Sequence, residues 1–370
     1  MDTPIRILHV VTYMGRGGLE TMIMNYYRRM DRDKVQFDFL THRDFRADYD
    51  DEIEALGGRI YRLPRLVPWS GSYRKALDRF FAEHREYRIV HVHQDCLSAV
   101  ILAAAVKYGV PVRIAHSHSG SQDKNLKYLV KLWYKRKIPA LATQLFACGK
   151  EAGDWMFGGA PFRVLNNAID AGRYAYDASR RAQMRKDLGI DPEAFVVGHV
   201  GRFDAVKNHT FLLDVFAQLV KQKPSAVLLL VGDGVLRPDM EQKADALGLA
   251  DRVIFTGIRS DVPDLMQVMD CFAFPSLYEG VPVTLIEAQA AGLPCVVSDG
   301  IPVEVRQTDL VDRIPLSCGS ADWAANLLGK FGMTRKNTMS EIKRSGYDIG
   351  ENAAFLQQFY LERSDLKSEA

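Results

Sequence analysis

The chain has 370 residues, 47% hydrophobic and 25% charged, which are the proportions of a water-soluble globular protein too long for one ordinary core. Its formal net charge of +2 gives no global attraction for nucleic acid, so no nucleic-acid partner is expected and a charged ligand must be met by a local patch. Five scattered cysteines (Cys96, Cys148, Cys271, Cys295 and Cys318), no apolar run of roughly 18–20 residues and no signal-peptide core at the N-terminus argue for a cytoplasmic protein with buried thiols.

Ile5 to Val11 is almost wholly apolar, as a strand buried on both faces of a parallel sheet should be. It runs into Gly15-Arg16-Gly17-Gly18-Leu19-Glu20 and then a helical stretch, Thr21 to Met30. Together these predict the first strand–turn–helix unit of a Rossmann-like sheet. A dinucleotide fingerprint would place glycine where Glu20 stands, and the second strand, Val35 to Leu40, ends without a clear acidic partner for a ribose. No cofactor is expected. Asp31-Arg32-Asp33 and Asp48-Tyr49-Asp50 have the form Asp-x-Asp, but each lies in a charged segment beside a helix end or loop, and neither is expected to hold a metal.

Further strands are predicted at Ile89 to His93 and Val112 to His116, with a helix from Leu97 to Tyr108 between them. His91-Val92-His93-Gln94-Asp95 sets two histidines on one strand face. His-x-His-x-Asp also occurs in binuclear metallo-hydrolases, although those have histidine where this chain has Cys96. A polar strand end lining a cleft is the plainer reading. His116-Ser117-His118-Ser119-Gly120 lies at the carboxyl end of the next strand, where open α/β sheets place their ligands. From Lys124 to Ile138 the apolar residues Leu126, Leu129, Val130 and Trp133 recur at helical period. Lys124, Lys127, Lys131 and Lys135 lie opposite, and Arg136 and Lys137 extend the charge. This predicts a basic amphipathic helix, fit either for a peripheral membrane contact or for packing its stripe on the domain core.

After Val164 to Asp170 the composition turns polar, from Ala171 to Glu193, and the strand–helix series restarts at Phe195. The domain boundary is therefore expected at 166/167, giving domains 1–166 and 167–348. Phe195 to Val200 reads as the first strand of a second sheet, followed by Gly201-Arg202-Phe203-Asp204-Ala205-Val206-Lys207. Arg202 and Lys207 can both reach a diphosphate from such a strand end, one as a fork and one as a point charge. Val227 to Gly232 and Val253 to Gly257 read as further strands. Cys271 to Phe274 is another, and Pro275, Gly280 and Pro282 then mark a tight loop. Pro282 is expected in the first turn of a helix from Val283 to Ala291, stopped by Gly292 and Pro294. Gly280 and Val281 then sit where backbone N–H groups and a helix dipole favour an anion, with Glu279 and Glu287 on either side. A nucleotide sugar, which has both phosphate and hydroxyl groups, suits that combination. The plain alternative is a strand–loop–helix corner with both carboxylates on its solvated side.

Pro-Ser-x-Tyr-Glu-Gly-x-Pro-x-x-x-x-Glu-Ala, here Pro275 to Ala288, resembles the Glu-x7-Glu signature of retaining GT-B glycosyltransferases (glycosyl transferases group 1, of the capsular and exopolysaccharide type). The likeness runs on through Ala290-Ala291-Gly292-Leu293-Pro294-Cys295-Val296-Val297, and the motif order agrees from residue 5 to about 300. The resemblance implies two Rossmann-like domains facing across a cleft, the N-terminal one binding acceptor and the C-terminal one the nucleotide sugar. It implies that a helix over about 349–370 packs back on the N-terminal domain. It implies that Gly17 and Gly18 face the donor phosphate and acceptor, and that His118, or His116, contacts the transferred sugar. Arg202 and Lys207 would hold the pyrophosphate, Glu279 the sugar hydroxyls and Glu287 the ribose, beside Gly280 and Val281. The expected activity is metal-independent transfer of a sugar, most simply from a UDP-sugar, to a polysaccharide or lipid-linked acceptor at the inner face of the plasma membrane. The alternatives are a zinc hydrolase using His91, His93, Asp95 and His118, a nucleotide-sugar epimerase of the same fold, and a sugar-nucleotide sensor.

Overall fold

The computed structural model describes residues 3–119 and 128–364. The chain forms two compact units, one from the residues up to Ala168 together with those from Ile349 onward, the other from Ile169–Asp348. In the first unit, β1 (Ile5–Val10), β2 (Val35–Thr41), β3 (Ile60–Arg62), β4 (Ile89–Val92), β5 (Val112–Ser117), β6 (Gln144–Ala147) and β7 (Arg163–Val164) build one sheet in the order β3-β2-β1-β4-β5-β6-β7. Every ladder in it is parallel. Such a sheet needs cover on both faces, which is why its strands carry few polar residues. Ile7, Phe37, Phe39, Ile89, Ile114 and Phe146 point to one side, beneath the helices Gly18–Arg29 and Ile349–Ser364. Leu8, Val10, Leu40, Val90, Val92 and Ala115 point to the other, beneath Gly71–Glu83 and Ser98–Lys107.

The second unit repeats the plan. Strands β8 (Val196–Val200), β9 (Val227–Val231), β10 (Val253–Phe255), β11 (Cys271–Phe274), β12 (Cys295–Ser298) and β13 (Val311–Ile314) run parallel in the order β10-β9-β8-β11-β12-β13. In both sheets the order reverses between neighbouring strands, at β1/β4 and at β8/β11. The loops leaving the carboxyl ends of those pairs diverge to opposite faces and leave a crevice for ligand. These are two Rossmann-like domains.

The Ile349–Ser364 helix buries Ile349, Ala353, Leu356, Phe359 and Tyr360 in the first unit. Residues 365–370, expected in that helix, lie outside the described residues, as do Gly120, Lys124, Leu126 and Lys127. Of the basic amphipathic stretch, the described helix is Tyr128–Lys135, and Ile138–Leu141 forms a separate turn. Its orientation is the reverse of a stripe packed on the core. Leu129, Val130 and Trp133 are 75%, 38% and 54% exposed. Tyr134 packs instead on the domain core, and the Lys135 ammonium lies 4.3 Å from the centre of the Trp155 ring. Lys135 thus lies against the domain, and the face carrying Leu129, Val130 and Trp133 turns outward. No helix among the described residues is long and apolar enough to cross a membrane.

Candidate active site

At the β8/β11 crevice the loop after β8 is fixed by its own backbone and by the loop after β11. The Asp204 carboxylate accepts from the Lys207 N–H at 3.2 Å, closing a short turn that ends at Asn208, held in the left-handed region at φ 55°. Asn208 donates to the Pro275 carbonyl at 3.3 Å, and the Leu277 N–H donates to the Val206 carbonyl at 2.8 Å. The neighbouring loop after β9 comes so close that a Cβ on Gly232, at φ +136°, would stand 2.1 Å from the Gly201 carbonyl oxygen. Only glycine fits there.

This stitching brings Lys207 to Glu279. Their ion pair is 2.6 Å long, with the side chains 17% and 18% exposed, and the ammonium also lies 4.8 Å from the centre of the Phe274 ring. Arg202 is not part of that pair: it is 75% exposed and holds Asp204 through its Nε at 2.8 Å. Gly280 and Val281 precede the helix Val283–Ala290, whose N-cap is Pro282. The proline therefore stands just outside the first turn in which it was expected. It offers no side-chain acceptor; its carbonyl takes the Leu285 N–H at 3.1 Å, and the N–H groups of Val283 and Thr284 are left to a ligand or water. Thr284 in that turn has a buried hydroxyl without a partner among the described residues.

Glu287 departs from the solvated-corner reading. It is 6% exposed, and the Tyr174 hydroxyl donates to its Oε1 at 2.5 Å. Burial pushes its carboxyl up to about 7, against the opposing pull of the Tyr174 hydrogen bond and the nearby Arg173 charge. Sequence reasoning missed Tyr174, because 113 positions separate it from its partner.

In the other unit, Gly17 caps the Gly18–Arg29 helix and accepts from the Thr21 N–H at 2.9 Å. A Cβ on Gly18 would meet nothing within 4 Å, so that backbone is open, whereas the Glu20 carboxylate folds back on Gly17. The strand register sets His9 of β1 beside His91 of β4. His93 just past β4, His116 of β5 and His118 just past β5 complete a stack of five imidazoles. His9 Nδ1 lies 3.1 Å from His93 Nε2, His93 Nδ1 2.8 Å from His118 Nε2, and His91 Nε2 3.2 Å from His116 Nδ1. Tyr360 of the C-terminal helix meets His91 Nδ1 at 2.7 Å. Burial, with mutual repulsion among several of them, lowers all five, His9 and His118 to about 3, so the rings are neutral near pH 7. The ring nitrogens of His9, His91 and His93, and of His93, His116 and His118, fall into two groups that could each hold a metal ion. Asp95 belongs to neither, so the His-x-His-x-Asp pattern does not assemble as a ligand set; it lines, with His93 and His118, a cleft of ≈ 320 Å³. His9 was passed over in an apolar strand.

Comparison with known proteins decides what these crevices belong to. Residues 16–173 match the family described as Glycosyltransferase Family 4, and residues 180–313 match Glycosyl transferases group 1. A putative glycosyltransferase, EpsF of Bacillus subtilis (strain 168), is 38% identical over 368 residues, 96% of either chain. The chain belongs to the group 1 glycosyltransferases. As a glycosyltransferase it is an enzyme of the hexosyltransferase type, and the hydrolase, epimerase and sensor readings fall away. A UDP-Gal:alpha-D-GlcNAc-diphosphoundecaprenol alpha-1,3-galactosyltransferase of Escherichia coli is 30% identical over 225 residues, 58% of each chain. Among solved structures, Anabaena Alr3699/HepE in complex with UDP and glucose superimposes with a TM-score of 0.78 at 19% identity, covering 98% of this glycosyltransferase and 100% of that chain. That likeness carries the GT-B fold.

Proposed function

We propose that this glycosyltransferase moves a hexose, with retention, from a UDP-sugar to a lipid-linked or polysaccharide acceptor in cell-envelope glycan synthesis. The observation that carries the reading is the Lys207–Glu279 pair at the β8/β11 switch, beside the open N-terminus of the Val283–Ala290 helix. Breaking an anomeric bond to a diphosphate puts negative charge on the leaving oxygen. Lys207, the exposed Arg202 and the N–H groups around Gly280 and Val281 are fixed positive potential for that charge. Glu279 holds sugar hydroxyls, Glu287 anchors the ribose, and His118 contacts the transferred sugar while Gly17 and Gly18 leave room for phosphate and acceptor. No step is assigned to a metal or to a covalent glycosyl-enzyme; the leaving phosphate is the base. The uridine and the lipid-linked acceptor are supported by the E. coli relative, whose name states both.

The outward face of the Tyr128–Lys135 helix supports docking of the first domain at a membrane surface, where Leu129, Val130 and Trp133 enter the interface. The test of the reading is UDP release from a panel of UDP-sugars with a polyprenyl-diphosphate-linked sugar as acceptor, followed by NMR of the product linkage. An α-linked product from an α-linked donor is expected. Inverted product, or donor turnover independent of acceptor, refutes it.

A further inference from the structure

The five-histidine stack contains more ring nitrogens than its hydrogen bonds use. His116 Nε2 and His118 Nδ1 are buried without a partner among the described residues. A buried polar nitrogen with no partner is costly and calls for an explanation such as a bound ion or water. One nitrogen from each of His93, His116 and His118 lies within 4.8 Å of the others. Zinc binds imidazole nitrogens at about 2.0–2.1 Å, which spaces tetrahedral ligands about 3.3 Å apart, so shifts below an ångström gather three rings around one ion. His93 and His118 stand on the wall of the ≈ 320 Å³ cleft, which supplies an entry path and room for a fourth ligand. Asp95 and Lys131 line the same cleft with opposite charges. The companion triad of His9, His91 and His93 abuts a cavity of only ≈ 10 Å³, and two of its rings are engaged at both nitrogens, His91 by Tyr360 and His116 and His93 by His9 and His118. In the chosen triad only His93 is so engaged, and it gives up one of those two bonds to the ion.

We propose that His93, His116 and His118 form a binding site for a borderline divalent transition ion, of the class of Zn²⁺, Co²⁺ or Ni²⁺. Three uncharged nitrogen ligands without a carboxylate select this class over Mg²⁺, Ca²⁺ and Mn²⁺, which require oxygen donors. The site joins the ends of adjacent strands β4 and β5, so occupation raises the melting temperature, as any ligand of the native state must. Occupation also takes His118 away from the sugar, which makes the ion an inhibitor of transfer; this second consequence rests on the role of His118 given above, whereas the uptake of metal does not.

The experiment uses the full chain free of any polyhistidine tag, titrated with Co²⁺ and followed by its visible ligand-field bands, with Zn²⁺ displacing it. Wild type is expected to bind one Co²⁺ per chain, with bands of a low-coordinate nitrogen site that His118→Gln abolishes. His118 is half-buried at the cleft, so that variant folds; His116→Gln, buried in the stack, provides the second loss when its circular dichroism matches wild type. Failure of wild type to bind more Co²⁺ than His118→Gln overturns the site. Equimolar Zn²⁺ is expected to slow transfer at least tenfold, reversed by chelation. Metal uptake with unchanged transfer refutes the role of His118 in the reaction while leaving the site standing.

Discussion

Replacing Glu279 by glutamine separates two effects that most active-site variants confound. In the free enzyme Lys207 is held by Glu279 at 2.6 Å, with both side chains more than four-fifths covered. A charge-assisted hydrogen bond in such a place contributes about 1.5–3 kcal/mol, reduced by the residual solvent contact to about 1 kcal/mol. A diphosphate has to compete with that carboxylate for the ammonium. Glutamine keeps the size of the side chain, removes its charge and releases Lys207. UDP should then bind about 5-fold more tightly, the affinity equivalent of about 1 kcal/mol. Turnover should move the other way. A group that holds the sugar hydroxyls as the anomeric bond breaks contributes about 2.7–4 kcal/mol, so kcat should fall about 10²–10³-fold. Isothermal titration with UDP and initial rates of UDP release measure the two quantities on one preparation. Weaker UDP binding, or a turnover within a few-fold of wild type, refutes the reasoning.

Glu287→Gln should gain stability over wild type as pH rises. The folded carboxyl keeps its proton up to about 7, whereas the unfolded chain releases it near 4.5, so wild type loses about 3 kcal/mol across that interval and the neutral amide does not. Thermal unfolding at pH 4.5 and pH 8 should show the difference growing toward the higher pH, and a constant difference contradicts the burial argument. Gly232→Ala drives a Cβ into the Gly201 carbonyl and should cost about 1–3 kcal/mol and weaken UDP binding, measured by denaturant titration and calorimetry. Tyr360→Phe strands His91 Nδ1 and should cost about 1–3 kcal/mol in the same denaturant assay. Leu129→Ser with Trp133→Ser should leave the melting temperature within a degree or so, because both side chains are exposed, yet reduce sedimentation with anionic vesicles several-fold. Equal sedimentation of the two proteins removes this helix from membrane docking.

Strand positions and fold class were legible because a parallel sheet, covered on both faces, demands nearly unbroken apolar runs. Val196–Val200 and Val227–Val231 are such runs, and glycine- and proline-rich turns follow their neighbours. The loop after β11 was legible from local chemistry too, since Pro275 and Pro282 fix φ and Gly280 between them is a residue typical of turns. Contacts between distant positions were not. Tyr174 reaches Glu287 across 113 residues, and His9 meets His93 across 84, through a register that no local period encodes. The Tyr128–Lys135 helix shows a different limit. Periodicity groups Leu129, Val130 and Trp133 on one face but does not say which face turns inward; that was settled by Tyr134 and by Lys135 lying against Trp155.

The proposed reaction needs Lys207 to stabilise a departing diphosphate, and the transfer rate of Lys207→Ala at saturating UDP-sugar tests that most directly. The prediction is a fall of about 10²–10³-fold relative to wild type, with cooperative unfolding retained. A rate within a few-fold of wild type would contradict it.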